Sequence, residues 1–155
     1  MKKTILICTA AAALCGMLAS ADSDADIARV ILAMERQAMD GWLKGNFDSL
    51  LAMSDPEITY FHAVTDKRLD GLPAVKELYE GYRGRPLFDS YEIIDPKVQV
   101  SGDTAVLTYQ LETRNGAVAR RWNATQVYQR KKEGWRIIHA HWSMTKPPLS
   151  TAPKQ

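Results

Sequence analysis

Cysteine is almost missing from this sequence: its two copies, Cys8 and Cys15, both fall near the N-terminus. Past them no disulfide, thiol nucleophile or Cys-ligated metal is available. Long apolar runs are scarce as well. The one run, at 5–18, has 14 residues, shorter than the roughly 20 a spanning helix needs. Charge of one sign is also lacking, with 20 Lys and Arg against 18 Asp and Glu. The only local basic cluster, Arg130-Lys131-Lys132, is a solvated hairpin tip in this reading, so the basic stripe of a nucleic-acid binder is excluded. A Gly-rich phosphate loop and a Ser nucleophile with His and acid in recognisable order are missing too.

What is present begins with Met1-Lys2-Lys3, the apolar run, and the small residues Ala19-Ser20-Ala21. That order reads as a secretory signal peptide over residues 1–21, so the mature protein is expected in the periplasm or the medium. Leu14 stands before Cys15, where a lipid-attachment signal would carry a small residue. Cleavage would remove Lys2 and Lys3, leaving 18 basic against 18 acidic residues, and a chain of 134 residues (155 less 21). That length suits one domain with one core. The domain is placed at 22–144, followed by a Pro-rich flexible tail at 145–155.

Ile27, Val30, Ile31, Met34, Ala38 and Trp42 recur at spacings of three and four and predict an amphipathic first helix, with Gly45 just beyond it as a C-cap. Phe47, Leu50, Leu51 and Met53 fit a short second helix that Asp55-Pro56 stops. Strands are expected at 58–63 and 68–70, then a helix at 73–82 with Pro73 in its first turn. A strand at 90–100 is interrupted at Asp95-Pro96, where a missing amide hydrogen implies a bulge or an edge. Another follows Gly102-Asp103, and Asn115-Gly116 is a strong hairpin signal. Helices first and antiparallel strands afterwards give an α+β domain, its curved antiparallel sheet wrapped around N-terminal helices.

The last hairpin fixes most geometry. With a three-residue loop at Lys132-Glu133-Gly134, Lys131 faces Trp135, Tyr128 faces Ile138, Gln126 faces Ala140 and Ala124 faces Trp142. The opposite face then carries Thr125, Val127, Ile137, His139 and His141. It is too mixed for a core, and it predicts a homodimer or larger assembly through that outer face.

Gly45-Asn46-Phe47-Asp48-Ser49, Asp55-Pro56, Thr59-Tyr60-Phe61, Gly71, Gly102-Asp103-Thr104-Ala105, Thr125-Gln126-Val127 and the run from Gly134 to His141 occur in one order along the chain. That ordered set resembles the nuclear transport factor 2-like superfamily, and within it the SnoaL-like proteins and the association (hub) domain of calcium/calmodulin-dependent kinase II. The resemblance implies a cone-shaped domain with a pocket inside. Where the hub domain places pocket arginines, this chain has Leu111, Gln126 and Trp142, which argues for a neutral or partly apolar ligand over a carboxylate.

Candidate ligand-binding residues are Tyr109, Leu111, Trp122, Gln126, Tyr128 and Trp142 on the inner sheet face, joined by Tyr79 and Tyr82 if the third helix covers the mouth of the cone, as the resemblance implies. Gln126 is the lone amide on that face and must find partners. Catalytic candidates are limited to His62, Asp66 and Asp70, and none of these is assigned a role. His139-x-His141, with His62 as a distant third ligand, is a weaker metal pattern than a polar interface, so neither a metal nor a cofactor is expected. Three readings remain open. They are an exported binding domain that self-associates, an isomerase, cyclase or dehydratase using pocket tyrosines with His62 or an aspartate, and an oligomerisation module with a filled cone.

Overall fold

The computed structural model describes residues 22–145; the expected signal peptide, 1–21, and most of the expected tail, 146–155, lie outside them. Among the described residues no helix is long and apolar enough to cross a membrane.

Among the described residues, two helices precede the first strand and a third lies between the second and third strands. Helix α1, Asp24–Trp42, opens on a capping box in which Ser23 and Asp26 satisfy each other's backbone amides, removing two of the orphan donors at a helix start. It buries Ile27, Ile31, Glu35, Ala38, Met39 and Trp42. Gly45 then turns the chain at φ 64°, and a Cβ there would stand 2.4 Å from the backbone nitrogen of Arg85. Only glycine fits, and the Gly84 amide donates to the Gly45 carbonyl at 2.9 Å. This pins the end of α1 to the loop that leads into the later strands. Helix α2 is Asp48–Met53 and α3 is Leu72–Glu80.

Six strands form one sheet: β1 Ser54–Phe61, β2 Leu69–Asp70, β3 Ser90–Ser101, β4 Thr104–Asn115, β5 Val118–Lys131 and β6 Gly134–Met144, in the order β2-β1-β6-β5-β4-β3. The α+β architecture with a curved sheet against N-terminal helices is therefore as expected. All neighbours run antiparallel except β1 and β6, a parallel pairing that the strand sequences do not announce. Strand β1 also begins earlier than expected, through Asp55-Pro56. Its pairing with β6 shifts register between Ser54 and Thr59, and β2 reaches only Thr59 and Tyr60. Pro56 therefore sits where no ladder amide is needed. Asp95-Pro96 does make a register shift in β3, with Asp95 at φ 48°.

The last hairpin departs from its expected register near the tip. Lys131 pairs with Gly134, Arg130 with Trp135 and Tyr128 with Ile137, whereas Gln126–Ala140 and Ala124–Trp142 stand as expected. A bulge between Val127 and Tyr128 absorbs the difference. A bulge inserts one unpaired residue and so changes which side chains face inward beyond it. Ile137 is accordingly buried and Ile138 is only half-buried, the reverse of the alternating count. The basic cluster is paired locally: Arg130 reaches Asp22 at 3.0 Å and lies over the Trp135 ring, and Lys131 reaches Asp55 at 3.4 Å.

Candidate functional site

Cross-strand pairing arranges the inner sheet face in rungs. Leu111 pairs with Trp122 and Trp122 with Met144; one rung in, Tyr109 pairs with Ala124 and Ala124 with Trp142; then Leu107, Gln126 and Ala140; then Ala105, Tyr128 and Ile137. Leu111, Trp122 and Met144 of the first rung and Trp142 of the second, with Trp42 from α1, Tyr79 and Tyr82 from the α3 region, and Phe88, wall a cavity of about 310 Å³. His62, Thr113, Arg120, Val64 and Leu87 complete it. The rings are in mutual contact: Trp42 lies 5.6 Å from both Tyr79 and Trp142, and Phe47 stacks on Tyr79 at 4.8 Å. Such tilted and offset arrangements suit the ring quadrupoles.

Five of the eight residues proposed from the sequence, Tyr79, Tyr82, Leu111, Trp122 and Trp142, line this cavity. The other three do not. Tyr109, Gln126 and Tyr128 lie deeper, gathered on Glu35 of α1, a carboxyl that is 1% exposed. Tyr109 donates to Glu35 Oε1, Gln126 Nε2 donates to Oε2 at 2.6 Å, and the Tyr128 hydroxyl lies 3.1 Å from Oε2 and from Gln126 Oε1. Burial pushes the Glu35 carboxyl up to about 7, against the pull of its three donors. Desolvation opposes the charged form, and hydrogen bonds to the charged form favour it. The partners that Gln126 needs are thus supplied within the protein, by Glu35 and Tyr128, and the carboxylate among them comes from α1 rather than from the sheet.

Glu35 was hidden by its chemistry, since a charged residue is not counted in an apolar stripe. The signal was nonetheless present: position 35 is four residues after Ile31 and three before Ala38, on the buried face itself.

Trp42 lines the cavity, but its Nε1–H is itself fully buried, with no hydrogen-bond partner among the described residues. His62 stands edge-on to Tyr60 and Tyr79, its Nδ1 accepting the Val64 amide at 3.3 Å, and burial holds its ring below the usual histidine range. Arg120 is exposed. The remaining catalytic candidates sit elsewhere: Asp66 is exposed, and Asp70 is exposed and paired with Arg68 at 2.6 Å.

His139 and His141 face the other side of the sheet with Phe61, whose ring lies 6.1 Å and 5.7 Å from theirs. His139 Nδ1 and Thr59 Oγ1 are 2.8 Å apart in a hydrogen bond. Burial, then His141 and Arg68, keep His139 below the usual range. Among the described residues no three His, Cys, Asp or Glu side chains are placed to hold a metal ion. Phe61 is 44% exposed on this face, beside half-buried Thr125, Val127 and Ile138.

Residues 26–146 match the family described as the calcium/calmodulin dependent protein kinase II association domain. No curated protein matches the chain. Among solved structures, the chain is similar to a candidate ketosteroid isomerase from Parabacteroides distasonis, at 31% identity over 78% of this chain and 89% of that one, with a TM-score of 0.71. It is also similar to a CaMKII hub from S. rosetta, at 24% identity over 76% and 95% of the two chains, TM-score 0.63. A third similar structure is a candidate dehydratase of the NTF2-like family from Streptomyces avermitilis, at 19% identity over 81% and 100%, TM-score 0.65.

Proposed function

The chain belongs to the calcium/calmodulin-dependent kinase II association-domain family, within the nuclear transport factor 2-like fold, and from that premise we propose that it is an exported domain that binds a small, partly apolar molecule in its aromatic cavity and self-associates through the outer sheet face. This fold hosts unrelated activities, so the site must carry the reading. One observation does so. Aromatic side chains from α1, α3, β5 and β6 wall a cavity of about 310 Å³ that also holds the ring of His62, a size and composition within the usual range for small-molecule sites. Trp142, Trp122, Tyr79 and Phe88 supply the apolar contact area.

Native mass spectrometry of protein purified from the cell envelope tests this: a mass excess over the mature chain, lost on denaturation, is the expected result. The bare polypeptide mass, together with no binding of aromatic probes by fluorescence, would overturn it.

Self-association is supported by the mixed outer face, where exposed Phe61 lies against His139 and His141, and by the similarity to the S. rosetta CaMKII hub. The catalytic reading keeps one supporting observation: His62, held neutral by burial, lines the cavity and is placed to exchange a proton with a bound molecule. Glu35 supports it less, because its oxygens are taken by three protein donors and it is outside the cavity wall.

A further inference from the structure

The outer sheet face holds two histidines with cations for neighbours. His139 and His141 project from β6 beside the Phe61 ring of β1. The charged groups that act on His139 are His141 and Arg68, and no carboxylate is among them. On one side β5 presents only the uncharged Thr125 and Val127 to the pair. On the other, β1 presents Thr59 and Phe61, with exposed Glu57 two positions before Thr59. Beyond β1, Arg68 and Asp70 are held to each other at 2.6 Å, and on β6 itself Arg136 donates to the Ala52 carbonyl. With both imidazoles neutral the face is balanced, Arg68 and Arg136 against Asp70 and Glu57. Protonating both rings leaves each copy with two positive charges in excess.

Resting on the self-association reading above, we propose that the assembly is switched by pH, closed while His139 and His141 are neutral and opened when they take up protons. Symmetry supplies the reason. In a two-fold interface a patch meets a copy of itself, so a cation on this face is brought toward the same cation of the second copy. Covering the rings together with Phe61, Val127 and Ile138 would also strip away the water that screens and solvates that charge. His139 leans toward the neutral form within a single chain, because burial, then His141 and Arg68, hold it below the usual range. A group that loses proton affinity on assembly favours assembly above its free-chain value, and that contribution is lost as pH falls. For a histidine titrating near about 6.5 when free and kept neutral in the assembly, association weakens about tenfold at a pH one unit lower. One such ring from each copy makes the effect about a hundredfold.

Sedimentation of the untagged mature protein at about pH 8 and about pH 5.5, with circular dichroism to verify the fold at each, is paired with NMR of the histidine rings. The chain has three histidines, and single His→Gln variants assign their signals. The dimer dissociation constant should rise about a hundredfold or more at the lower pH, and added salt there should restore part of the affinity by screening. The rings of His139 and His141 should titrate at lower pH in concentrated than in dilute protein, whereas His62, in the cavity wall, should titrate alike in both. The double variant His139→Gln/His141→Gln should associate equally at both pH values. A parent that is monomeric at about pH 8 and tens of micromolar overturns the self-association reading and this one with it. A dimer equally tight at both values, or ring titrations independent of concentration, overturns the switch and leaves the dimer standing. Loosening in acid that persists undiminished in the double variant overturns the assignment to these two rings. If that variant fails to fold or associate, the concentration dependence of the parent's ring titrations decides alone.

Discussion

Glu35 gives the most direct physical test of the interior. Its carboxyl is buried, accepts from Tyr109, Tyr128 and Gln126, and is raised from an ordinary 4.5 to about 7 by desolvation. A folded state that holds a proton more tightly than the unfolded chain is favoured in acid. The contribution is fully present below about 4.5, declines as pH rises, and is gone above about 7. At about 1.4 kcal/mol for each tenfold change in proton affinity, the difference across that window is about 3 kcal/mol. Protonation is structurally feasible because a hydroxyl rotor can reverse: Tyr109 or Tyr128 can turn from donor to acceptor without moving its ring.

Glu35→Gln keeps the shape and removes the titration. Urea unfolding of both proteins at about pH 5 and about pH 8 should show the parent losing about 2–3 kcal/mol relative to the variant between the two conditions. Burial also holds His62 and His139 below their usual range. Their stabilising contribution is therefore present above about 6.5 and lost as pH falls, the opposite sense to Glu35. Both proteins share it, so it cancels in the comparison. Parallel stability curves for parent and variant would refute the reasoning. They would mean that three hydrogen bonds outweigh burial and keep Glu35 ionised throughout.

Gln126→Leu should lower the thermal midpoint, by about 1–3 kcal/mol of stability, because Glu35 and Tyr128 lose a buried partner; an unchanged or raised midpoint would show the amide to be dispensable to the network. Phe61→Glu, and more weakly His139→Glu, should shift sedimentation toward the monomer by placing charge in the outer face, and a parent already monomeric at tens of micromolar (about the upper end of usual interface affinities) would remove the interface. N-terminal sequencing of envelope material should begin near Asp22, and recovery of Met1 would remove the basis for export.

Local pattern was enough for most of the architecture. The period of α1, the Asp95-Pro96 interruption in β3, the Asn115-Gly116 turn and the alternation of β4 and β5 depend on neighbours a few residues apart, and those neighbours are written side by side in the chain. Three of the five cavity residues followed from the same alternation, since an inward-facing Leu111, Trp122 or Trp142 is fixed by parity once the strand is placed; Tyr79 and Tyr82 followed from the resemblance.

Tertiary structure alone decided the rest. Glu35 meets Tyr109 and Gln126 across 74 and 91 residues of sequence, so whether a charge in an apolar stripe is satisfied or fatal is settled by strands that the helix sequence cannot specify. The parallel contact of β1 with β6 joins segments from opposite ends of the domain, and the bulge beside Tyr128 reverses the burial of Ile137 and Ile138. The open Trp42 N–H is the same kind of fact, because a polar atom becomes an orphan only when every element around it has taken its place.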